Sequence, residues 1–243
     1  MLNNLNWIVI SGGPGMSNSY LKYALRKLPT EWNLHFYDLY GSPESKIKSP
    51  TLDQMIGQVD EVVIELGLKN YGLITHSFGN YLAMRALEKN GENIDAILML
   101  SPMPFEFRAW KASQSMLAGK VPQTVLDKIS KAAAKKTSNK ELFRLIYPYY
   151  TGRNIDSLPV DVMIDINACN LISDKVIEYD DRELVKSTTT PLVRVVGDKD
   201  IFYGDHDLLQ DKTIVIPEVG HFPFFENPEV FYQAVRKAEK LLS

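Results

Sequence analysis

Gly72-Leu73-Ile74-Thr75-His76-Ser77-Phe78-Gly79-Asn80 is the stretch that decides the fold. An apolar run enters it, a segment of helical character from Asn80 to Asn90 leaves it, and a serine stands at the bend. The pattern predicts a strand, a tight turn and a helix. A turn this sharp needs small residues beside the serine, because a bulky neighbour collides with the arriving strand or the departing helix; Gly79 meets that need. The hydroxyl then projects beyond the sheet, and the Phe78 N–H falls at a helix start, where unpaired donors and the helix dipole favour negative charge. Such a serine is suited to attack a carbonyl. The competing reading is a serine that only caps a helix. Thr75, where the pattern Gly-x-Ser-x-Gly has glycine, fits that turn more tightly than glycine does.

Outward from this bend, apolar β-branched runs alternate with helical patterns. The expected elements are strand Trp7–Ser11, helix Ser19–Leu28, strand Leu34–Tyr37, helix Leu52–Leu66, strand Gly72–Thr75, helix Asn80–Asn90 and strand Ala96–Ser101. This rhythm implies crossover connections and a parallel sheet covered on both faces. From Pro102 to about Thr190 the rhythm breaks into aromatic and helical sequence without clear strands. Strands return at Pro191–Gly197 and Thr213–Pro217, and a closing helix, Pro228–Leu242, carries Phe231, Val235, Ala238 and Leu242 on one face. The expected class is therefore α/β: a compact, mostly parallel six-stranded sheet with helices on both faces and a helical insertion. Residues 1–101 and 191–243 form the core, and 102–190 form a cap or lid. The chain starts almost at its first strand, so the six-stranded form is expected without extra leading strands.

Ligands of open parallel sheets bind beyond the carboxyl ends of the strands, which directs attention to the loops there. After the first strand comes Ser11-Gly12-Gly13-Pro14-Gly15. Bare backbone lets the Gly13 N–H approach a substrate oxygen and pair with the Phe78 N–H as a two-donor oxyanion site. A phosphate loop is disfavoured, since no lysine follows and Pro14 removes a donor; a plain glycine-rich turn remains open. After the strand ending at Val196 comes Gly197-Asp198-Lys199-Asp200, where Asp200 is the preferred carboxylate to orient a histidine and Asp198 the alternative, both being ordinary turn residues otherwise. The last strand leads into Glu218-Val219-Gly220-His221-Phe222-Pro223. Of the four histidines, His35 lies in a strand, His76 is turned away from Ser77 by the bend, and His206 opens a polar helical segment. His221 alone follows a glycine in a strand-end loop.

Composition narrows the functional classes. At 243 residues, the chain can bury about three quarters of its unfolded surface in one large domain. A net charge of −3 gives no electrostatic reason to expect nucleic acid or an anionic membrane as partner. The basic pairs Lys135-Lys136 and Arg236-Lys237 read as solvated helix faces. The single cysteine, Cys169, excludes an internal disulfide and a Cys-rich metal site and reads as a small buried apolar side chain. With neither a secretion signal nor an apolar stretch of membrane-spanning length, a cytoplasmic protein acting on a small-molecule substrate, without membrane insertion, is expected.

The order Ser77, Asp200, His221, each on its own strand-end loop, is that of the α/β hydrolases. Ser11-Gly12-Gly13-Pro14-Gly15 resembles the His-Gly-Gly-Pro-Gly of proline iminopeptidase-like members. Tyr37-Asp38-Leu39-Tyr40-Gly41 resembles their Asp-x-Arg-Gly segment, and Gly220-His221-Phe222-Pro223 with Glu226-Asn227-Pro228 resembles their histidine loop. The likeness spans about residues 7–101 and 191–242. It implies Ser77 as nucleophile, His221 as general base and then acid, Asp200 as the residue holding the imidazole tautomer, and Gly13 and Phe78 as oxyanion donors. No metal or organic cofactor is implied. Ser11, Thr75, Tyr40 and Asn80 depart from the family pattern, which weakens any transfer of the peptidase activity. The expectation is thus a serine hydrolase of a small ester, thioester or amide; the alternatives are an aminopeptidase, with Glu106 or Glu141 holding an amino terminus, and a slow or inert ligand-binding protein. A dehalogenase or epoxide hydrolase would need an acid at position 77. The lid aromatics Phe105, Phe107, Trp110, Phe143, Tyr147, Tyr149 and Tyr150 either line an apolar pocket or form the cap's own core.

Overall fold

The protein is described here by a computed structural model covering residues 4–134, 140–153, 158–176, 178–204 and 208–243. Six strands, β1 (Asn6–Ile10), β2 (Asn33–Phe36), β3 (Tyr71–Ser77), β4 (Ile94–Pro102), β5 (Leu192–Gly197) and β6 (Thr213–Ile216), form one sheet in the order β2-β1-β3-β4-β5-β6. Every pairing is parallel. Strand side chains alternate between faces, and this sheet buries both. Trp7, Val9, Ile74, Leu98, Leu100, Val193 and Val195 join one apolar cluster. Their neighbours Ile8, Ile10, Leu73, Ile97, Met99 and Leu192 join the other. Near-continuous apolar strands are the mark of a sheet covered twice.

Helix α1 (Ser19–Leu25) buries Tyr20, Leu21, Ala24 and Leu25 on the first face. It ends at Leu25, three residues before the expected Leu28, with Arg26 as its C-cap. On the opposite face lie α2 (Leu52–Glu65), opened by a Thr51/Gln54 capping box, and α3 (Gly79–Asn90). Between β4 and β5, the described residues hold α4 (Phe107–Lys120), α5 (Gln123–Ala134), α6 (Lys140–Ile146), α7 (Ile166–Ser173) and α8 (Arg182–Ser187). Their only β pairings among described residues are the isolated bridges Met16↔Ile164 and Glu106↔Asp180. A short helix α9 (Pro223–Glu226), not foreseen, precedes α10 (Pro228–Leu242), whose expected stripe of Phe231, Val235, Ala238 and Leu242 is fully inside.

Among the described residues, the segment between β4 and β5 packs into the two sheet cores. Leu142, Phe143, Tyr147, Val162, Ile164 and Ile166 pack into the cluster of α1 and α10, whereas Phe105, Trp110, Leu117, Ile172 and Val185 pack into that of α2 and α3. Of the seven aromatics, Phe105, Trp110, Phe143 and Tyr147 are buried in this way and Phe107, Tyr149 and Tyr150 are half-buried. Among the described residues, no helix is long and apolar enough to cross a membrane.

Candidate active site

Strand β3 runs through Ser77, two residues beyond the expected end at Thr75, and the chain then turns directly into α3. Ser77 takes φ 53°, in the left-handed region that non-glycine residues rarely occupy. Gly79 makes the close return possible: a Cβ there would stand 2.6 Å from the Ile10 carbonyl oxygen and 2.8 Å from that of Ser11. Thr75 lies in β3 opposite Ile10 and Met99, and its hydroxyl is buried with no hydrogen-bond partner.

The three strand-end residues come together. Ser77 Oγ lies 2.8 Å from His221 Nε2, and His221 Nδ1 lies 2.9 and 3.0 Å from the two Asp200 carboxylate oxygens. Ser77 is half-buried, whereas His221 and Asp200 are 1% and 6% exposed, so the hydroxyl is the part of the array that solvent reaches. Asp200 Oδ1 also accepts the Phe202 N–H at 2.9 Å. Asp198 is elsewhere engaged: its carboxylate accepts the Glu218 N–H at 2.7 Å.

The His221 loop is fixed from several sides. Its N–H donates to the Tyr150 carbonyl at 2.8 Å. Glu226 gathers four backbone donors: Oε2 accepts from Gly152, Arg153 and Gly220 at 2.8, 3.2 and 2.8 Å, and Oε1 accepts from Phe222 at 3.2 Å. Burial holds its carboxyl above the ordinary range, with those four donors pulling the other way. His76, which sequence reasoning set aside, makes no bond to Ser77. Its Nδ1 is 2.8 Å from the Tyr20 hydroxyl and its Nε2 3.0 Å from the His221 carbonyl oxygen. Glu226 carried one signal, its place four residues after Phe222 in the histidine-loop segment; nothing in the sequence pointed to Tyr20.

In the glycine loop, the Gly12 N–H is spent on the Tyr20 hydroxyl at 2.6 Å. Among the described residues neither the Gly13 nor the Phe78 N–H has an acceptor. Gly13 is half-buried at φ 123°, and Ser11 keeps a buried hydroxyl without a partner.

Other sequence expectations resolve singly. Cys169 is half-buried, more accessible than expected, and its environment pushes the thiol up to about 11. Glu106 pairs with Arg182 at 3.2 Å, and the Tyr40 hydroxyl donates to Glu61 at 2.5 Å. His35 sits in β2 against Asn6, and Arg236 and Lys237 are exposed on α10. His206 and the Lys135-Lys136 pair lie outside the described residues. Among the described residues no group of three or more His, Cys, Asp or Glu is arranged to hold a metal.

A family model described as alpha/beta hydrolase fold matches residues 8–148. No curated protein matches the chain by sequence. Among solved structures, proline iminopeptidase from Mycobacterium smegmatis is similar with a TM-score of 0.68 at 18% identity, over 99% of this chain and 90% of its own. A proline iminopeptidase-related protein from Thermus thermophilus gives 0.70 at 20% identity, over 100% and 91%. A thermophilic esterase from Thermogutta terrifontis gives 0.65 at 20% identity, over 98% and 91%. At such identities the likeness is one of fold.

Proposed function

The chain belongs to the α/β-hydrolase fold family, and from that premise we propose that it is a serine hydrolase cleaving a small carboxylic ester, or a related thioester or amide, through an acyl-enzyme. The observation that carries this reading is the unbroken path from Ser77 Oγ to His221 to Asp200, with contacts of 2.8 and 2.9 Å. Along it, Ser77 Oγ attacks the carbonyl carbon while its proton passes to His221 Nε2. Asp200 holds the Nδ1–H, and so keeps Nε2 bare to receive that proton and stabilises the imidazolium that forms. The tetrahedral oxyanion accepts the Gly13 and Phe78 N–H groups, each donor of this kind being worth about 3–4 kcal/mol of barrier. Collapse breaks the bond to the leaving alcohol, which takes the proton from His221. A water then loses its proton to Nε2, attacks the acyl carbon and restores Ser77.

In this reading residues 102–190 act as a lid that selects the acyl group and limits water. An ester is favoured over an aminoacyl amide because Glu106, a candidate to hold a free amino terminus, is already paired with Arg182.

A fluorophosphonate probe tests the reading. It is expected to label the wild type and not Ser77→Ala, and hydrolysis of p-nitrophenyl esters is expected to fall by about 10³-fold or more in Ser77→Ala and His221→Ala. A folded wild type that neither labels nor turns over would leave a ligand-binding protein on this scaffold.

A further inference from the structure

We propose that His76 and Tyr20 form a positioning relay that joins the glycine loop to the backbone of His221 and so sets the Gly13 N–H and the imidazole relative to each other. The inference rests on the serine-hydrolase reading for its consequence in catalysis, but its geometry stands without it.

Every proton in the relay has a forced place. The Gly12 N–H can only donate, so the Tyr20 oxygen, 2.6 Å away, accepts. The Tyr20 proton then points to its other neighbour, His76 Nδ1 at 2.8 Å, which must be bare. A neutral imidazole with a bare Nδ1 carries its proton on Nε2, and Nε2 faces the His221 carbonyl oxygen at 3.0 Å, which can only accept. The chain Gly12 N–H, Tyr20 O–H, His76 Nε2–H, His221 C=O therefore runs in one direction with no donor opposing another.

Its surroundings remove the alternatives. Tyr20 and His76 are both wholly buried, and the Phe222 and Phe224 rings stand 5.2 and 5.3 Å from that of His76. Solvent does not reach the array to substitute for a lost partner, so a broken link leaves a buried polar group unsatisfied. Burial and the nearby His221 hold His76 well below its ordinary pKa, which keeps the neutral form.

The relay gives the bend a second task. Ser77 addresses the His221 ring at Nε2, while the preceding residue, on the other side of the strand, holds the same histidine by its carbonyl. It also divides the glycine loop: the Gly12 N–H is fixed inside, where a Cβ would stand 2.7 Å from His76 Nδ1, and the Gly13 N–H is the one left to face a substrate.

The test uses Tyr20→Phe, which removes one oxygen, with His76→Leu and His76→Gln. Nitrogen-15 NMR of the wild-type imidazoles is expected to find His76 neutral with its proton on Nε2 from about pH 6 to 8, and Gly12 amide exchange is expected to quicken in Tyr20→Phe. In ester hydrolysis, Tyr20→Phe and His76→Leu are expected to lose about tenfold or more in kcat with KM within about twofold, because misplacement acts on the reacting geometry and not on substrate binding. His76→Gln, whose amide can still donate to the His221 carbonyl, is expected to recover part of that loss. A proton on His76 Nδ1, unchanged Gly12 exchange, or wild-type kcat in a folded Tyr20→Phe would overturn the relay. Failure of the wild type to label with fluorophosphonate would strike the hydrolase reading alone, the NMR outcomes still deciding the relay.

Discussion

At the scale of single residues, the bend combines tolerances that a motif alone does not disclose. Thr75, where glycine is usual, lies within β3, and its drawback is an orphaned hydroxyl. Thr75→Val keeps the shape and removes that group, so it is expected to raise stability by about 1 kcal/mol in urea denaturation. A lower midpoint would mean that the hydroxyl has a partner. The residues whose places were legible beforehand are those with local signatures: Ser77 at a strand-to-helix turn, His221 after Gly220, Asp200 after Gly197. The bend turns His76 from Ser77 as expected, but its partners, Tyr20 and the His221 carbonyl, lie 56 and 145 positions away and had no signature along the chain. The equally distant pair Ser77 and His221 was legible only because each stands in a strand-end loop of its own.

At the scale of elements, apolar runs and one helical stripe carried most of the information. All six strands and α10 are readable, the strands as short apolar runs that fill a sheet covered on both faces and α10 as a stripe at helical spacing. The helices between β4 and β5 were harder to delimit, since they add to two sheet cores at once and show no single stripe. Helix α3 depends on its first residue. Gly79→Ala would press a methyl group against the Ile10 and Ser11 carbonyl oxygens, and α3 would have to lift from β1. We expect a loss of about 1–3 kcal/mol in chemical denaturation. Fluorophosphonate labelling of Ser77 is expected to slow in parallel, and full stability would show that the helix shifts without cost.

At the scale of the molecule, Glu226 joins parts of the chain that the sequence keeps apart. Its carboxylate binds Gly152 and Arg153, midway between β4 and β5, to Gly220 and Phe222 on either side of His221. Glu226→Gln must turn an NH2 group toward at least one of those N–H donors, so it is expected to cost roughly 2 kcal/mol or more and to lower ester turnover. Unchanged melting would show that the loop is held by other contacts. The sheet order has its own corollary. The serine rides on β3, an interior strand, whereas the imidazole follows β6, an edge strand paired to β5 over four residue pairs. On the proposed reading, local opening of that edge would part the imidazole from the serine before the centre of the molecule unfolds, and the Tyr150, Glu226 and His76 bonds to the His221 loop are what oppose it.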